Sequence, residues 1–198
     1  MPKVGMQPVR RQSLINAAIS LIGEAGSLDV PVKDIAVRAG MSPALAFHYF
    51  DGKDGIILET MRHLLREYSN EIRDALKRAG SPQARIDAII STSFGASQFD
   101  RNTVAAWLVF YLKSYSSPPA ARLLAVYTAR LRSNLMHALC SLAPRAEAER
   151  LAESLASLID GIYIRQTLRP GGPDAKEAIA LCRQHMSRAL ATMAANQR

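Results

Sequence analysis

The chain has 198 residues, enough to bury a real core either as one domain or as a small domain joined to a larger one. Apolar residues make up 48% and charged ones 21%, no run of about 18 uncharged apolar residues occurs, and Met1 to Gly5 lack the apolar stretch of a signal peptide, so a cytoplasmic protein with no membrane partner is expected. The net charge of +8 is spread so that residues 1–80 carry net +2 and residues 81–198 net +6, so charge permits nucleic acid without pointing to where it would bind.

The first element is a helix over Pro8 to Ala25, in which Leu14, Ala18, Leu21, Ile22 and Ala25 recur at helical spacing and Gly26 supplies a left-handed stop. A connection through Asp29 and Pro31 leads to a short helix from Val32 to Ala39, closed by Gly40. Ser42 followed by Pro43 is an N-cap with proline at the first helical position, and starts a third helix of about two turns that runs to Phe50. Asp51 and Gly52 break it, and a long helix from Lys53 to about Arg78 follows, with Ile57, Met61, Leu64, Leu65, Tyr68, Ile72 and Leu76 along one side.

Further helices are expected at Pro82 to Gln98, Thr103 to Ser114, Pro118 to Leu142 and Arg145 to Leu168. A last one follows the linker Arg169 to Pro173 and runs to about Ala194. With no strand pattern and no repeat, the fold class is all-α, about nine helices. Cys140 and Cys182 lie far apart inside helical patterns and form no Cys-x-x-Cys pair, so both are expected to be reduced core thiols.

The stretch from Val32 to Tyr49 has the geometry of a helix-turn-helix, in which a second short helix lies in the DNA major groove. Ala36 is small where the two helices approach, Ile35 and Ala39 face the same interior, and Gly40 supplies the positive φ of the turn. Ser42 caps the second helix, and its hydroxyl or the helix end could also meet a phosphate. Pro43, Ala44, Phe47 and His48 fall on the groove side, where Phe47 suits either a thymine methyl or the small core. Tyr49 can donate its hydroxyl to a phosphate with Lys53 beside it, the bland reading of Lys53 being a solvated lysine. Arg10 and Arg11 precede these elements and suit phosphates or the minor groove.

Residues 9–60 resemble the DNA-binding domain of the TetR family of regulators. The likeness is carried by the supporting helix ahead of the motif and by Tyr49, Phe50, Asp51-Gly52 and Lys53 at the end of the recognition segment. It implies a three-helix reader over residues 1–52, a helical ligand-binding and dimerisation domain over 53–198, and a homodimer formed by the last two helices. It implies a sequence-specific repressor of double-stranded operator DNA, with Lys33 among the DNA contacts. Leu45 and Phe47 stand where the family often has polar residues or glycine, so the operator sequence is left open.

Within the family, the segments Met1 to Gln12, His48-Tyr49-Phe50, Thr60-Met61-Arg62 and Leu158 to Ile162 resemble the choline-responsive repressors of glycine betaine synthesis. What this implies is repression of choline-to-betaine genes, relieved by choline. The alternative is a repressor of efflux or catabolism with another hydrophobic or cationic effector. A quaternary ammonium ion is held by aromatic faces and a nearby carboxylate. Trp107, Phe110 and Tyr111 sit on one helix at i, i+3 and i+4; Phe94, Phe99, Tyr127 and Tyr163 are further candidates, as is Tyr115. Asp160 or Asp100 could balance the charge, while the plain alternative for such rings is core.

Catalysis is not expected. His48, His63, His137 and His185 have no metal-ligand spacing, and neither a phosphate-cradling glycine loop nor a Gly-x-Ser-x-Gly elbow is present, so no metal and no cofactor beyond the small-molecule effector is anticipated. The helix from Lys53 would join reader to sensor, so an effector favouring a dimer whose recognition helices no longer match successive major grooves would weaken operator binding.

Overall fold

The computed structural model describes residues 6–196, so the opening Met1 to Gly5, part of the segment that carries the closer resemblance, lies outside the described residues. Among the described residues there are nine helices and no strand: α1 (Met6–Ala25), α2 (Val32–Arg38), α3 (Pro43–Tyr49), α4 (Gly52–Arg78), α5 (Pro82–Ser93), α6 (Arg101–Ser116), α7 (Pro118–Leu139), α8 (Arg145–Thr167) and α9 (Ala175–Asn196). None of them is long and apolar enough to cross a membrane. By packing, the chain divides into two compact units: one falls within Met1–Arg66 and Arg101–Leu123, the other within Glu67–Asp100 and Leu124–Arg198. This grouping differs from the division expected at residue 52, because it places α6 with the N-terminal helices.

In the first unit α1 buries Leu14, Ile15, Ala17, Ala18 and Ile22. Its most extensive partner is α6, followed by α2. The approach to α6 is close enough to require glycine: a Cβ added to Gly23 would stand 2.5 Å from the Cα of Asn102 and 2.6 Å from its carbonyl oxygen. Buried Val104, Ala106, Trp107, Val109 and Phe110 form the inner side of α6.

In the second unit α8 and α9 pack on each other, and α5 packs on α9. Leu155 and Ile159 of α8 and Ala178, Cys182 and Met186 of α9 are buried, which is the i, i+4 spacing of one helix face. Ser81 caps α5 by accepting from the Ala84 amide at 3.1 Å.

Two expectations are corrected here. The helix expected over Pro82 to Gln98 ends at Ser93, and turns take over, with the amides of Gln98 and Phe99 both donating to the Gly95 carbonyl. The reason is packing: Phe94 and Phe99 are both buried, whereas five helical residues would set the two rings about 140° apart. Cys140 is not a core thiol. Helix α7 stops at Leu139, one residue before it, and the side chain is exposed, while Cys182 is buried and burial pushes its thiol up to about 12.

Candidate nucleic-acid interface

The joint between α2 and α3 is built from backbone requirements. The Gly40 amide donates to the Val37 carbonyl at 3.0 Å and the Met41 amide to the Ala36 carbonyl at 2.9 Å, a Schellman pair with Gly40 at φ +70°. Ser42 then sits in extended backbone and its hydroxyl oxygen accepts from the Leu45 amide at 3.3 Å, with Pro43 opening α3. Ile35, Ala36 and Ala46 are buried where the two short helices meet.

That joint turns the other face of α3 outward. Pro43, Ala44, Phe47 and His48 are exposed, as are Ser42 and, on α2, Lys33. Phe47 is 54% exposed, so it does not complete the small core. Tyr49 is half-buried, and its ring meets that of His48 edge to face.

The cations around this face have different surroundings. Lys53 donates to the Asp29 carboxylate at 2.7 Å, and that hydrogen bond holds the pKa of the carboxyl below its ordinary value. Arg38 of α2 forks onto Glu24 of α1 at 2.8 and 3.0 Å. Hydrogen bonds from Arg38 and Ser20 hold the Glu24 carboxyl at about 2. Arg10 is half-buried on α1. Arg11 is turned toward the end of α3, donating to the Tyr49 carbonyl oxygen at 2.8 Å.

Of the expected effector residues, Phe94, Phe99 and Tyr163 come together in the second unit. Ring centroids lie 4.9 Å apart for Phe94 and Phe99, 5.7 Å for Phe94 and Tyr163, and 5.1 Å for Phe99 and Tyr163. Tyr127 instead meets Tyr68 at 5.6 Å. The two groups are tied through one residue: Tyr68 hydrogen-bonds the Ser93 hydroxyl at 3.0 Å and Tyr163 donates to the Ser93 carbonyl. Trp107, Phe110 and Tyr111 belong to the first unit on α6, with Trp107 and Tyr111 paired at 6.3 Å. Tyr115 is almost fully exposed and Asp100 is exposed, while Asp160 is half-buried.

Burial first pushes the Tyr68 hydroxyl up to about 12, the Ser93 hydrogen bond opposes it, and the charges of Asp160 and Glu71 add to the rise. Gln98 is 1% exposed; its amide nitrogen donates to Glu71 at 3.4 Å while its buried Oε1 accepts nothing among the described residues. Tyr68, Ser93 and Gln98 were not among the expected site residues. Tyr68 sits on the apolar stripe of α4 and reads as core, and a serine and a glutamine at the end of a helix carry no pattern.

The comparisons with known proteins fit this arrangement. Residues 14–60 match the family model of bacterial regulatory proteins of the TetR family, and residues 82–191 match that of the BetI-type transcriptional repressor C-terminal domain. The chain belongs to the TetR family, with a C-terminal domain of the BetI type. Relatives named HTH-type transcriptional regulator BetI include those of Brucella melitensis, 53% identical over 94% of both chains, and Rhizobium meliloti, 46% identical over 94% of this chain and 92% of its own. Among solved structures, a transcriptional regulator of Pseudomonas aeruginosa PAO1 is 26% identical with a TM-score of 0.78, covering 93% of this chain and 91% of its own. A regulator of Saccharomonospora viridis solved in complex with choline shares the fold at 20% identity and a TM-score of 0.81, covering 91% of this chain and 96% of its own. As a TetR family member the chain is a DNA-binding transcriptional repressor and not an enzyme.

Proposed function

We propose that this regulator represses choline-to-glycine-betaine genes, that choline relieves the repression, and that the cation is taken up by the Phe94, Phe99 and Tyr163 rings in the second unit. The observation that carries the reading is the grouping of these three rings beside Ser93, which Tyr163 and Tyr68 both hydrogen-bond, with the charges of Asp160 and Glu71 acting on the Tyr68 hydroxyl. A trimethylammonium group is large, weakly hydrated and positive, so it gains from aromatic faces and from nearby carboxylates at once. The orphaned acceptor Oε1 of Gln98 supplies what the other end of choline needs, since its hydroxyl is a donor. Glycine betaine carries a carboxylate there, which would meet an acceptor and two acids. The neighbour solved with choline and the BetI-type domain support trying this ligand first.

On the DNA side, the reading places the exposed side of α3, with Phe47 and His48, in the major groove, with Tyr49 and Lys53 on phosphates and Lys53 leaving Asp29 to do so. The dimer would be formed by α8 and α9, where Ile164, Leu168 just past α8, and Leu181 leave apolar surface exposed. Each recognition helix then meets a half-site about 34–36 Å from the other.

The test is a titration of the full chain with choline by isothermal calorimetry, beside a gel shift on a duplex selected by the chain from a random pool. Choline is expected to bind and to weaken the shift, and glycine betaine to do neither. Phe99→Leu should weaken choline binding by up to roughly thirtyfold, as loss of one cation–π contact implies, and leave choline-free DNA binding as in the parent. A selected duplex whose affinity choline leaves untouched while another effector lowers it would assign the chain to another pathway.

A further inference from the structure

Arg11 stands in a place that a phosphate contact does not need. It lies on α1, yet one guanidinium nitrogen donates to the carbonyl oxygen of Tyr49, the last residue of α3, at 2.8 Å. Its carbon sits 4.7 Å from the centroid of the Phe50 ring, the residue that caps α3. Another of its nitrogens faces the Glu59 carboxylate of α4 at 3.7 Å. Glu59 is also held by Arg62 at 2.8 Å and faces Arg66 at 3.9 Å, so the carboxylate is fixed from its own helix.

The reason such a device is needed lies in α3 itself. Seven residues are far too few for a helix to persist alone, and its last carbonyls have no partner in the helix. Ser42 secures the first turn, and the Phe50 amide closes the Ala46 carbonyl. The Tyr49 carbonyl is taken by Arg11, a charged donor at the helix end where positive charge is favoured. The side chain is thereby committed on three sides: to backbone, to a ring and to a carboxylate.

We propose that Arg11 is a positioning residue for the recognition helix, fixing the end that carries His48 and Tyr49, and that it does not neutralise a phosphate. The geometry demands the planar fork of arginine, which a lysine cannot reproduce although it keeps the charge. The two roles therefore separate on the conservative variant.

The experiment compares the full-length parent, Arg11→Lys, Arg11→Ala and Glu59→Gln on the selected duplex and on random-sequence DNA over a range of salt, with thermal unfolding in parallel. Both Arg11 variants are expected to lose affinity for the selected duplex on the order of tenfold, as loss of a charged hydrogen bond implies, with the salt slope of the parent and unchanged binding to random DNA. Glu59→Gln, which removes no positive charge, should lower selected-duplex affinity in the same sense by a smaller factor. If Arg11→Ala fails to unfold cooperatively, Arg11→Lys and Glu59→Gln carry the comparison. Parental affinity in Arg11→Lys, or a salt slope lowered by about 0.9 in Arg11→Ala, would restore the phosphate contact and overturn the proposal.

Discussion

Replacing Gly23 by alanine gives two principles opposite signs. In the interior of an exposed helix the change gains about 1 kcal/mol of helix propensity, so propensity alone makes Gly23→Ala stabilising. Here the new Cβ would lie 2.5 Å from the Asn102 Cα and 2.6 Å from both its Cβ and its carbonyl oxygen. Two of those atoms are backbone and cannot swing aside, so α1 and α6 must part by roughly 1 Å to restore ordinary contact, and overpacking of this kind costs about 1–3 kcal/mol. The clash outweighs the gain, for a net loss of up to about 2 kcal/mol, and a chain of this size loses roughly 2–4 °C in Tm per kcal/mol. Gly55 is the control, since a Cβ there meets nothing nearer than 3.6 Å and its φ is not in the left-handed region. Followed by helical circular dichroism, Gly23→Ala should melt below the parent and Gly55→Ala at or above it. A Gly23→Ala chain that melts higher would refute the close approach of α1 and α6.

Three further outcomes follow from single features. Ser42→Ala removes the cap of α3 and should cost about 1 kcal/mol in urea unfolding, with weaker binding to the selected duplex; an unchanged midpoint would mean that the cap contributes nothing. The Glu24 carboxyl is held near 2 against an ordinary 4.5, so its contribution is present above the ordinary value and is lost as pH falls through about 2; Glu24→Gln should flatten that part of the acid-stability curve, and an unaltered curve would remove the ion pair with Arg38 from the account. Iodoacetamide should modify the native chain at Cys140 and spare Cys182, which mass spectrometry of the digested protein reads directly; prompt labelling of Cys182 would contradict its burial.

Much of the reader was legible because its signals are local. Gly40, Ser42 and Pro43 are three backbone requirements within four residues, and each is met as expected: a positive φ, a capping hydroxyl and a proline in the first turn. The long helices were legible from their apolar spacing. What escaped was set by partners distant in sequence. Arg11 invites a phosphate reading beside Arg10, and only the fold brings Tyr49, Phe50 and Glu59 to it. The end of α5 is hidden in the sequence because Phe94 to Asp100 contains no proline, and the single Gly95 is a weak stop signal. In sequence Cys140 reads as core because the apolar run continues to Leu142, past the true end of α7. Of the aromatic candidates, spacing identified the pair on α6, but neither the grouping of Phe94, Phe99 and Tyr163 nor the hydroxyl link through Ser93 can be seen in one dimension.

The shallow seating of α3 has an evolutionary consequence. It buries only Ala46 fully, while Ala44, Phe47 and His48 project outward and contribute little to the head's own fold. Side chains at those three places are thus free to vary without threatening the scaffold that presents them. On the proposed reading, a lineage of such proteins can drift from one promoter to another by exchanging its outward residues, while the glycine, the serine and the distant arginine keep the presenting surface at a constant angle.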